Sequence, residues 1–254
     1  MATETSSSPA ISVQAIDVVK TYQTDDIDVQ ALRGVSLAVP KGDMVAIMGP
    51  SGCGKTTLLN CLSGLDEVTA GVVRVGGVDI AGLSDNEKSG YRARAMGFVF
   101  QFYNLLPVLS AVENVEMPLL ISGVNAREAR QRAEAVLDLV HLRDWAHHRP
   151  AQLSGGQRQR VTIARALVNE PAIVWADEPT GDLDSRNADE IMQLITGLNE
   201  ANQQTFVIVT HDERIARSTN RIINMVDGLI VEERLTERGR ARGAATPAAA
   251  ETAS

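Results

Sequence analysis

The chain has 254 residues, of which 44% are hydrophobic, and this size suits one large domain or a core domain with an added lobe. Its formal net charge of −8 argues against a nucleic-acid-binding protein, because the phosphate backbone requires a basic surface. The two cysteines, Cys53 and Cys61, lie close together in the sequence, which indicates no disulfide framework and fits a reducing cytosol. No apolar run approaches the roughly 20 residues of a membrane span. We therefore expect a cytoplasmic protein that, if it works at a membrane, depends on another chain for the membrane part.

Both ends of the chain have compositions that are typical of disorder. Residues 1–10 are rich in Ser and Thr and lack the basic-then-apolar pattern of a signal peptide. Residues 236–254 are rich in Arg, Gly, Ala and Thr. We predict disorder in both segments and one continuous domain over residues 11–235.

In chain order, short apolar or alternating runs predict strands, and longer amphipathic runs predict helices. The predicted strands are residues 12–19, 29–39, 45–48, 98–100, 173–176 and 205–210. The predicted helices are residues 56–63, 126–140 and 154–168, of which the second has an apolar stripe through Ala129, Ala133, Val136, Leu137 and Val140. Strands that alternate with helices indicate an α/β fold with a mostly parallel sheet. The mostly helical section at about 102–165 indicates a separate lobe.

The strongest functional motif is a glycine loop directly after the predicted buried strand 45–48. It comprises Gly49, Pro50, Ser51, Gly52, Cys53, Gly54, Lys55 and Thr56, with Thr57 next, and it fits the phosphate-binding loop pattern. Glycines let backbone amides curl around phosphate oxygens, Lys55 can neutralise the β- and γ-phosphates, and the Thr56 hydroxyl can bind Mg²⁺. An ordinary strand-to-helix turn does not need this density of glycine together with Lys and Thr. The loop therefore predicts an ATP site.

Two further strand ends carry candidate catalytic residues. Asp177 and Glu178 follow the strand 173–176, and His211 follows the strand 205–210. In α/β sheets, ligands bind at the carboxyl ends of strands. Asp177 can hold Mg²⁺, Glu178 can act as general base for the attacking water, and His211 can hydrogen-bond to a γ-phosphate oxygen. The alternatives are a solvated acidic pair and a structural or surface histidine, and the glycine loop makes both the weaker interpretations.

A second candidate anion site lies at the start of the predicted helix 154–168. Its residues are Ser154, Gly155, Gly156 and Gln157. Ser154 can cap the helix, and the two glycines leave backbone N–H groups accessible to an anion. Taken alone, the pattern also fits a common capped loop.

Together these motifs resemble the ABC ATPase family over residues 11–233. The glycine loop is similar to Walker A, residues 173–177 to Walker B, and residues 153–157 match the family signature Leu-Ser-Gly-Gly-Gln. The resemblance implies a P-loop NTPase core, an antiparallel β subdomain and a helical lobe that carries the signature. It also implies that Gln101 reaches Mg²⁺ and the water, that Asp184 lies at a dimer seam and that Tyr22 stacks on adenine. For Tyr22, packing at a strand end is the alternative.

The same resemblance implies that two such domains form a homodimer, with each signature covering the γ-phosphate bound by its partner. It places the contact with integral-membrane permease subunits in a groove at residues 102–105, so that the protein is peripheral at the inner face of the membrane. Residues 98–107 and 177–181 are similar to the lipoprotein-release, macrolide-export and cell-division branch, whose FtsX-like permeases have a large extracytoplasmic domain.

Three functions are compatible with these features. Energy coupling for export or extraction of a substrate is the leading prediction, and mechanical control of a cell-wall enzyme through a permease-like partner is the alternative. A repair or translation ATPase is disfavoured, because the chain has no coiled-coil insertion and one ATPase domain, and because its charge is acidic. Cys53 occupies a position where the family often has Ser. Since a helix N-terminus can lower a thiol pKa, we predict that alkylation of Cys53 blocks ATPase activity.

Overall fold

The structure, a computed structural model, describes residues 10–23 and 27–245. Apart from Ala10, the disorder predicted for residues 1–10 lies outside the described residues, as does that of residues 246–254. The strands are β1 Ile11–Gln23, β2 Asp28–Pro40, β3 Met44–Met48, β4 Ala70–Val75, β5 Val78–Asp79, β6 Met96–Phe100, β7 Ile173–Asp177, β8 Thr205–Val209, β9 Arg221–Val226 and β10 Leu229–Leu235. The helices are α1 Lys55–Leu62, α2 Asp85–Ala95, α3 Ala111–Ile121, α4 Ala126–Leu139, α5 Gly155–Leu167, α6 Ser185–Asn202, α7 Glu213–Arg217 and α8 Glu237–Ala245.

The larger sheet has six strands in the order β10-β9-β3-β8-β7-β6. Neighbouring strands are parallel except for β10, which is antiparallel to β9. Every residue of β3 and β8 is buried, because separate hydrophobic cores cover the two faces of these apolar runs. The prediction of a mostly parallel sheet is confirmed. This order also brings the carboxyl ends of β3, β8 and β7 to one edge.

The smaller sheet is antiparallel, with the order β2-β1-β4-β5, as the family resemblance implied. Val13, Ala15 and Val18 of β1 are buried. The pairing of β1 with β2 is irregular between Ala15 and Val18, where Asp17 has a φ of 48°. The extra residue of this bulge keeps all three apolar side chains on the core face. That core includes α1, and α1 contacts both sheets. The helix after the glycine loop is therefore held by both sheets.

The predicted helical lobe is confirmed. It contains α3, α4, most of α5 and two short 3₁₀ helices, Arg143–Trp145 and Pro150–Gln152. Capping boxes begin α3 at Ser110 and α5 at Ser154. The apolar stripe of α4 packs into a core that continues onto one face of the larger sheet. Because α5 also packs against β6, the lobe holds the signature helix beside the sheet.

The prediction of disorder from residue 236 onward is wrong for Glu237–Ala245, which forms α8. Thr236 is buried, and its hydroxyl accepts a hydrogen bond from the Gly239 N–H at 3.1 Å. Arg242 donates to the Gly42 carbonyl at 2.7 Å. Composition alone favoured disorder, but the local cap at Thr236 and the tertiary hydrogen bond from Arg242 to Gly42 hold a segment that has few apolar residues.

Seven elements were not predicted from the sequence, namely β4, β5, β9, β10, α2, α6 and α7. These elements complete the edges of both sheets and the layer around them. Among the helices in the described parts of the chain, none is long and apolar enough to cross a membrane.

Candidate functional site

The glycine loop, the acidic pair Asp177 and Glu178, and His211 meet at one edge of the larger sheet. The loop follows β3, the acidic pair lies at the end of β7, and His211 lies just beyond β8, the strand between them. Val209, the last residue of β8, pairs with Ile47 on one side and with Asp177 on the other. The convergence expected from the sequence is present in the structure.

Two glycines of the loop are required by close backbone contacts. A Cβ on Gly49, whose φ is 150°, would overlap the carbonyl oxygen of Met225. A Cβ on Gly54, whose φ is 102°, would lie 2.6 Å from the Ala31 carbonyl oxygen. Gly52 has a φ of 78°, but no heavy atom of the described residues lies within 4 Å of a Cβ built there. The backbone at Gly52 is exposed, so a phosphate group can approach it closely.

The Lys55 ammonium lies inside the loop. Its Nζ donates to the carbonyl oxygens of Gly49 and Pro50, both at 2.9 Å, and lies 3.9 Å from the Cys53 sulfur. Helix α1 starts at Lys55, so its first N–H groups and its positive dipole end face the same space. Cys53 is only 3% exposed, and alkylation of its sulfur therefore requires the loop to open.

Oxygen ligands that suit Mg²⁺ lie beside the loop. The Thr56 hydroxyl donates to Asp177 Oδ1 at 3.4 Å. Burial raises the pKa of Asp177, and the negative charge of Glu178 raises it further, against the opposing hydrogen bond from Thr56. A divalent cation would offset the repulsion between the two carboxylates, and hydroxyl and carboxylate oxygens are ligands that Mg²⁺ prefers. These residues fit the ion that the motif implies.

Glu178 and His211 contact each other directly. Glu178 Oε1 lies 2.8 Å from His211 Nδ1. The Glu178 backbone is left-handed, with a φ of 47°, and its N–H donates to the Val209 carbonyl at 2.9 Å. Such strained conformations of non-glycine residues are concentrated at functional sites. The Glu178 side chain is 18% exposed and that of His211 is 74% exposed, so the imidazole can touch both the carboxylate and a ligand in front of it.

Gln101 and Tyr22 belong to other elements. Gln101 follows β6, whose last residue pairs with Asp177. Tyr22 belongs to β1 in the smaller sheet and is 37% exposed. Its hydroxyl donates to Asp66 Oδ2 at 2.7 Å. Asp66 lies in the turn that follows α1, so Tyr22 is tied to the helix that starts at the glycine loop.

The signature residues begin α5 and contact the segment that leads into α6. The Ser154 hydroxyl accepts from the Gln157 N–H at 3.2 Å, and Gln157 Oε1 accepts from the Ser154 N–H at 2.8 Å. A Cβ on Gly156 would lie 2.7 Å from Asn187 Oδ1. Asp184 caps α6 by accepting from the Asn187 N–H at 2.9 Å, and this hydrogen bond lowers the Asp184 pKa. The signature and Asp184 are thus neighbours on one surface.

Tyr103 connects the loop after β6 to this surface, a contact that the sequence analysis missed. Its hydroxyl donates to Asp182 Oδ2 at 3.0 Å, and the Arg158 guanidinium of α5 lies 5.0 Å from its ring centroid. Tyr103 and Asn104 have positive φ values of 61° and 49°, and Arg165 donates to their carbonyl oxygens at 3.0 and 2.6 Å. No sequence pattern indicates these contacts, because Tyr103 and Asp182 are 79 positions apart.

An apolar groove of about 420 Å³ is lined by residues of β6, α3 and α5. Its apolar lining includes Phe98, Phe100, Leu106, Met117 and Ile121. Leu106 is the residue of the loop after β6 that lines this groove. Of the residues predicted to contact a permease, 102–105, Tyr103 is buried and Leu105 packs against the core of the lobe, whereas Phe102 and Asn104 are exposed. The contact at 102–105 stays a prediction.

Comparisons with known proteins agree with this geometry. The ABC transporter family matches residues 32–181. The lipoprotein-releasing system ATP-binding protein LolD from Bacteroides fragilis is 48% identical over 202 residues, which cover 80% of this chain and 94% of LolD. The macrolide export ATP-binding/permease protein MacB from Syntrophobacter fumaroxidans is 48% identical over 223 residues, which cover 87% of this chain and 31% of MacB. The solved structure of the ATP-binding cassette MJ0796, a dimer in a post-hydrolysis state bound to ADP and Pi, is 44% identical with a TM-score of 0.81, covering 88% of this chain and 98% of that one. The chain therefore belongs to the ABC transporter family, as one of its ATP-binding domains.

Proposed function

We propose that this domain hydrolyses ATP as a homodimer with nucleotide at the interface, and that the cycle powers a partner membrane permease. The observation that carries the proposal is the meeting of the glycine loop with Asp177, Glu178 and His211 at one sheet edge. This arrangement has the parts that phosphoryl transfer to water needs, namely a phosphate cradle, a metal site and a base.

In this proposal the chain binds ATP through three groups. The amides of the glycine loop and the Lys55 ammonium bind the phosphates, and phosphate oxygens replace the two carbonyl contacts of Lys55. Tyr22 stacks on adenine. Thr56, Asp177 and Gln101 would hold Mg²⁺, which supplies positive charge to the phosphate oxygens.

Glu178 acts as the general base. Its carboxylate accepts a proton from water as the water oxygen bonds to the γ-phosphorus, and the bond from that phosphorus to the ADP oxygen breaks. His211, 2.8 Å from Glu178, orients the carboxylate and can contact a γ-phosphate oxygen through its exposed ring. The strained backbone at Glu178 holds the side chain at the strand end.

The signature supports the dimer. Residues 154–157 present the capped start of α5, where backbone N–H groups can bind a γ-phosphate held by the partner's glycine loop. Asp184 lies beside them at the start of α6, in position for the seam between two copies. The related cassette MJ0796 is a dimer with ADP and Pi, which supports the same assembly here.

The apolar groove beside β6 is the candidate contact for the permease, which would place the protein at the inner face of the membrane. Its lining continues to exposed Leu106 and Ile121, and an apolar patch of this kind marks an interaction site. The similarity to LolD and MacB favours permeases of the lipoprotein-release and macrolide-export type. On this proposal, the permease takes its substrate from the membrane or the periplasm.

The variant Glu178→Gln tests the chemistry. We expect turnover to fall by about 10²- to 10⁴-fold, the usual contribution of general base catalysis, while ATP binding and ATP-dependent dimerisation persist. Phosphate release and size-exclusion chromatography with light scattering measure the two properties. The matched control is Glu134→Gln, an exposed glutamate on α4, which should keep wild-type turnover. A wild-type rate in Glu178→Gln would show that Glu178 is not the base.

The partner is tested with the same variant. The tagged Glu178→Gln protein, trapped with ATP in its native membranes, should co-purify with a permease that has a large extracytoplasmic domain. Replacement of Ile121 by Arg in the groove should abolish this recovery and leave ATP-dependent dimerisation unchanged. Recovery of soluble proteins alone would contradict the transport role.

A further inference from the structure

The side chains of Lys20, Tyr22 and Asp66 form a closed cluster between β1 and the turn that follows α1. The Tyr22 hydroxyl donates to Asp66 Oδ2 at 2.7 Å. Lys20 Nζ donates to the other oxygen, Asp66 Oδ1, at 2.7 Å, and lies 4.7 Å from the centroid of the Tyr22 ring. The tyrosine is therefore held at its hydroxyl by a carboxylate and on one ring face by an ammonium group.

The anchors of this cluster are themselves fixed. Lys20 also donates to the Glu67 carbonyl at 2.8 Å, and its side chain is only 12% exposed. Asp66 Oδ1 accepts from the Glu67 N–H at 2.8 Å, and the Asp66 N–H donates to the Asn60 carbonyl at 3.1 Å in the turn that ends α1. Asp66 thus accepts three hydrogen bonds and belongs to the same helix–turn unit as the glycine loop.

The position of the cluster links it to nucleotide. Tyr22 lies near the end of β1 in the smaller sheet, whereas the glycine loop belongs to the larger one. The hydrogen bond to Asp66, in the turn that follows α1, ties the hydroxyl end of the ring to the helix that begins at the glycine loop. An aromatic ring that is already oriented loses less conformational entropy when a base stacks on it.

We propose that Lys20 and Asp66 are positioning residues for adenine. They clamp Tyr22 so that one ring face carries the ammonium and the opposite face receives the base. The inference rests on the proposed stacking of Tyr22 on adenine. It assigns base-dependent affinity to a pair of charged residues that do not touch the phosphates or the reacting atoms.

Equilibrium binding of ADP, measured by isothermal titration calorimetry, tests the clamp without turnover. Tyr22→Ala should weaken ADP binding by about tenfold, within the range of a lost base–aromatic stack. Asp66→Ala and Lys20→Met should each weaken it by about threefold, because the ring remains but is less ordered. In the ATPase assay the same two variants should raise KM by a similar factor and leave kcat unchanged.

A double variant separates positioning from general structural damage. If Asp66 acts through Tyr22, Asp66→Ala should have no further effect on ADP binding in a Tyr22→Ala background. Pyrophosphate, which has phosphates but no base, should compete for the site equally well in wild type, Asp66→Ala and Lys20→Met. Asp66→Asn, which keeps an acceptor for the hydroxyl, should recover part of the ADP affinity. The matched control is Glu67→Gln, which breaks the neighbouring pair with Lys88 and should leave ADP affinity unchanged.

The clamp, the stacking of Tyr22 on adenine and the proposed function would each be refuted by a different result. Independent, multiplying losses in the double variant, or an equal loss of pyrophosphate binding in Asp66→Ala and Lys20→Met, would refute the clamp while leaving adenine stacking intact. Unchanged ADP affinity in Tyr22→Ala would refute the stacking itself and with it the clamp. Failure of the wild-type protein to bind ADP would refute the proposed function.

Discussion

The geometry of the glycine loop predicts that two of its glycines respond very differently to the same substitution. Gly49 and Gly52 both have positive φ, 150° and 78°, so alanine at either position incurs backbone strain of about 1–3 kcal/mol. At Gly49 the new Cβ would also overlap the Met225 carbonyl oxygen and lie 2.7 Å from the Cys53 sulfur. At Gly52 no heavy atom of the described residues lies within 4 Å. The difference between the variants therefore reports the clash together with the greater backbone strain of alanine at a φ of 150°.

Overpacking of this kind costs about 1–3 kcal/mol, so Gly49→Ala should be less stable than Gly52→Ala by that amount. Urea unfolding followed by circular dichroism, without nucleotide, measures the difference. With a urea dependence of about 2–3 kcal/mol per M, the midpoint of Gly49→Ala should lie roughly 0.3–1.5 M below that of Gly52→Ala. Equal midpoints would mean that the loop does not contact β9 as described, and the close approach of Gly49 to Met225 would have to be abandoned.

Three further predictions concern charge and thiol chemistry. Because burial raises the Asp177 pKa, its ionised form destabilises the fold; Asp177→Asn should therefore raise the urea midpoint at pH 7, with a gain that shrinks as pH falls toward about 3.9. Burial also raises the Cys61 thiol pKa to about 11, so Cys61 stays protonated and unreactive at pH 8. Iodoacetamide at this pH should therefore label Cys53 when the loop opens, and bound ATP should protect both Cys53 and the ATPase activity. Arg130→Met leaves the buried Glu116 without its partner at 2.6 Å and should cost about 1–3 kcal/mol in urea unfolding.

A specific result would contradict each of these three predictions. A lower midpoint for Asp177→Asn at pH 7 would reverse the sign assigned to the Asp177 carboxylate. Labelling that persists in Cys53→Ser and still blocks turnover would remove Cys53 as the sensitive thiol. For the ion pair, Arg186→Met is the control, because Arg186 is exposed and pairs with exposed Glu190, and its loss should cost no more than about 0.5 kcal/mol. Equal losses for Arg130→Met and Arg186→Met would contradict the contribution of burial.

Local patterns were sufficient for the elements whose burial is uniform. Strands β3, β7 and β8 appear as short apolar runs because both of their faces are covered. Helix α4 has a single apolar stripe because one side faces the core of the lobe. Helix α6 carries a comparable stripe through Ile191, Ile195 and Leu198, so the sequence held the signal for it. Helix α8 has no such stripe, because it is held by hydrogen bonds from the Thr236 hydroxyl to the Asn220 carbonyl and from Arg242 to the Gly42 carbonyl, both distant in the sequence.

The candidate site likewise contains residues that the sequence indicated and contacts that it did not. The glycine loop and the residues at two strand ends were identifiable because phosphate binding and parallel strands constrain residue type and position over a few residues. The Tyr103 contacts with Asp182 and Arg158, and the clamp of Tyr22 by Lys20 and Asp66, were not identifiable. Each joins residues from different elements, and nothing in the local sequence of any of them requires the others.

The sequence by itself determined the α/β class, the phosphate-binding loop and the residues that end β7 and β8, and the signature was identified through its resemblance to the family. These features depend on short-range rules, namely side-chain periodicity, glycine at positions of unusual φ, and helix capping. Only the tertiary structure decided which of these residues meet. The strand order of the larger sheet brought the loop to Asp177 and Glu178 to His211, and the packing of the smaller sheet brought β1 to α1. This arrangement buries hydrophobic cores on opposite faces of the larger sheet. That burial is a property of the whole chain, and no single segment carries it.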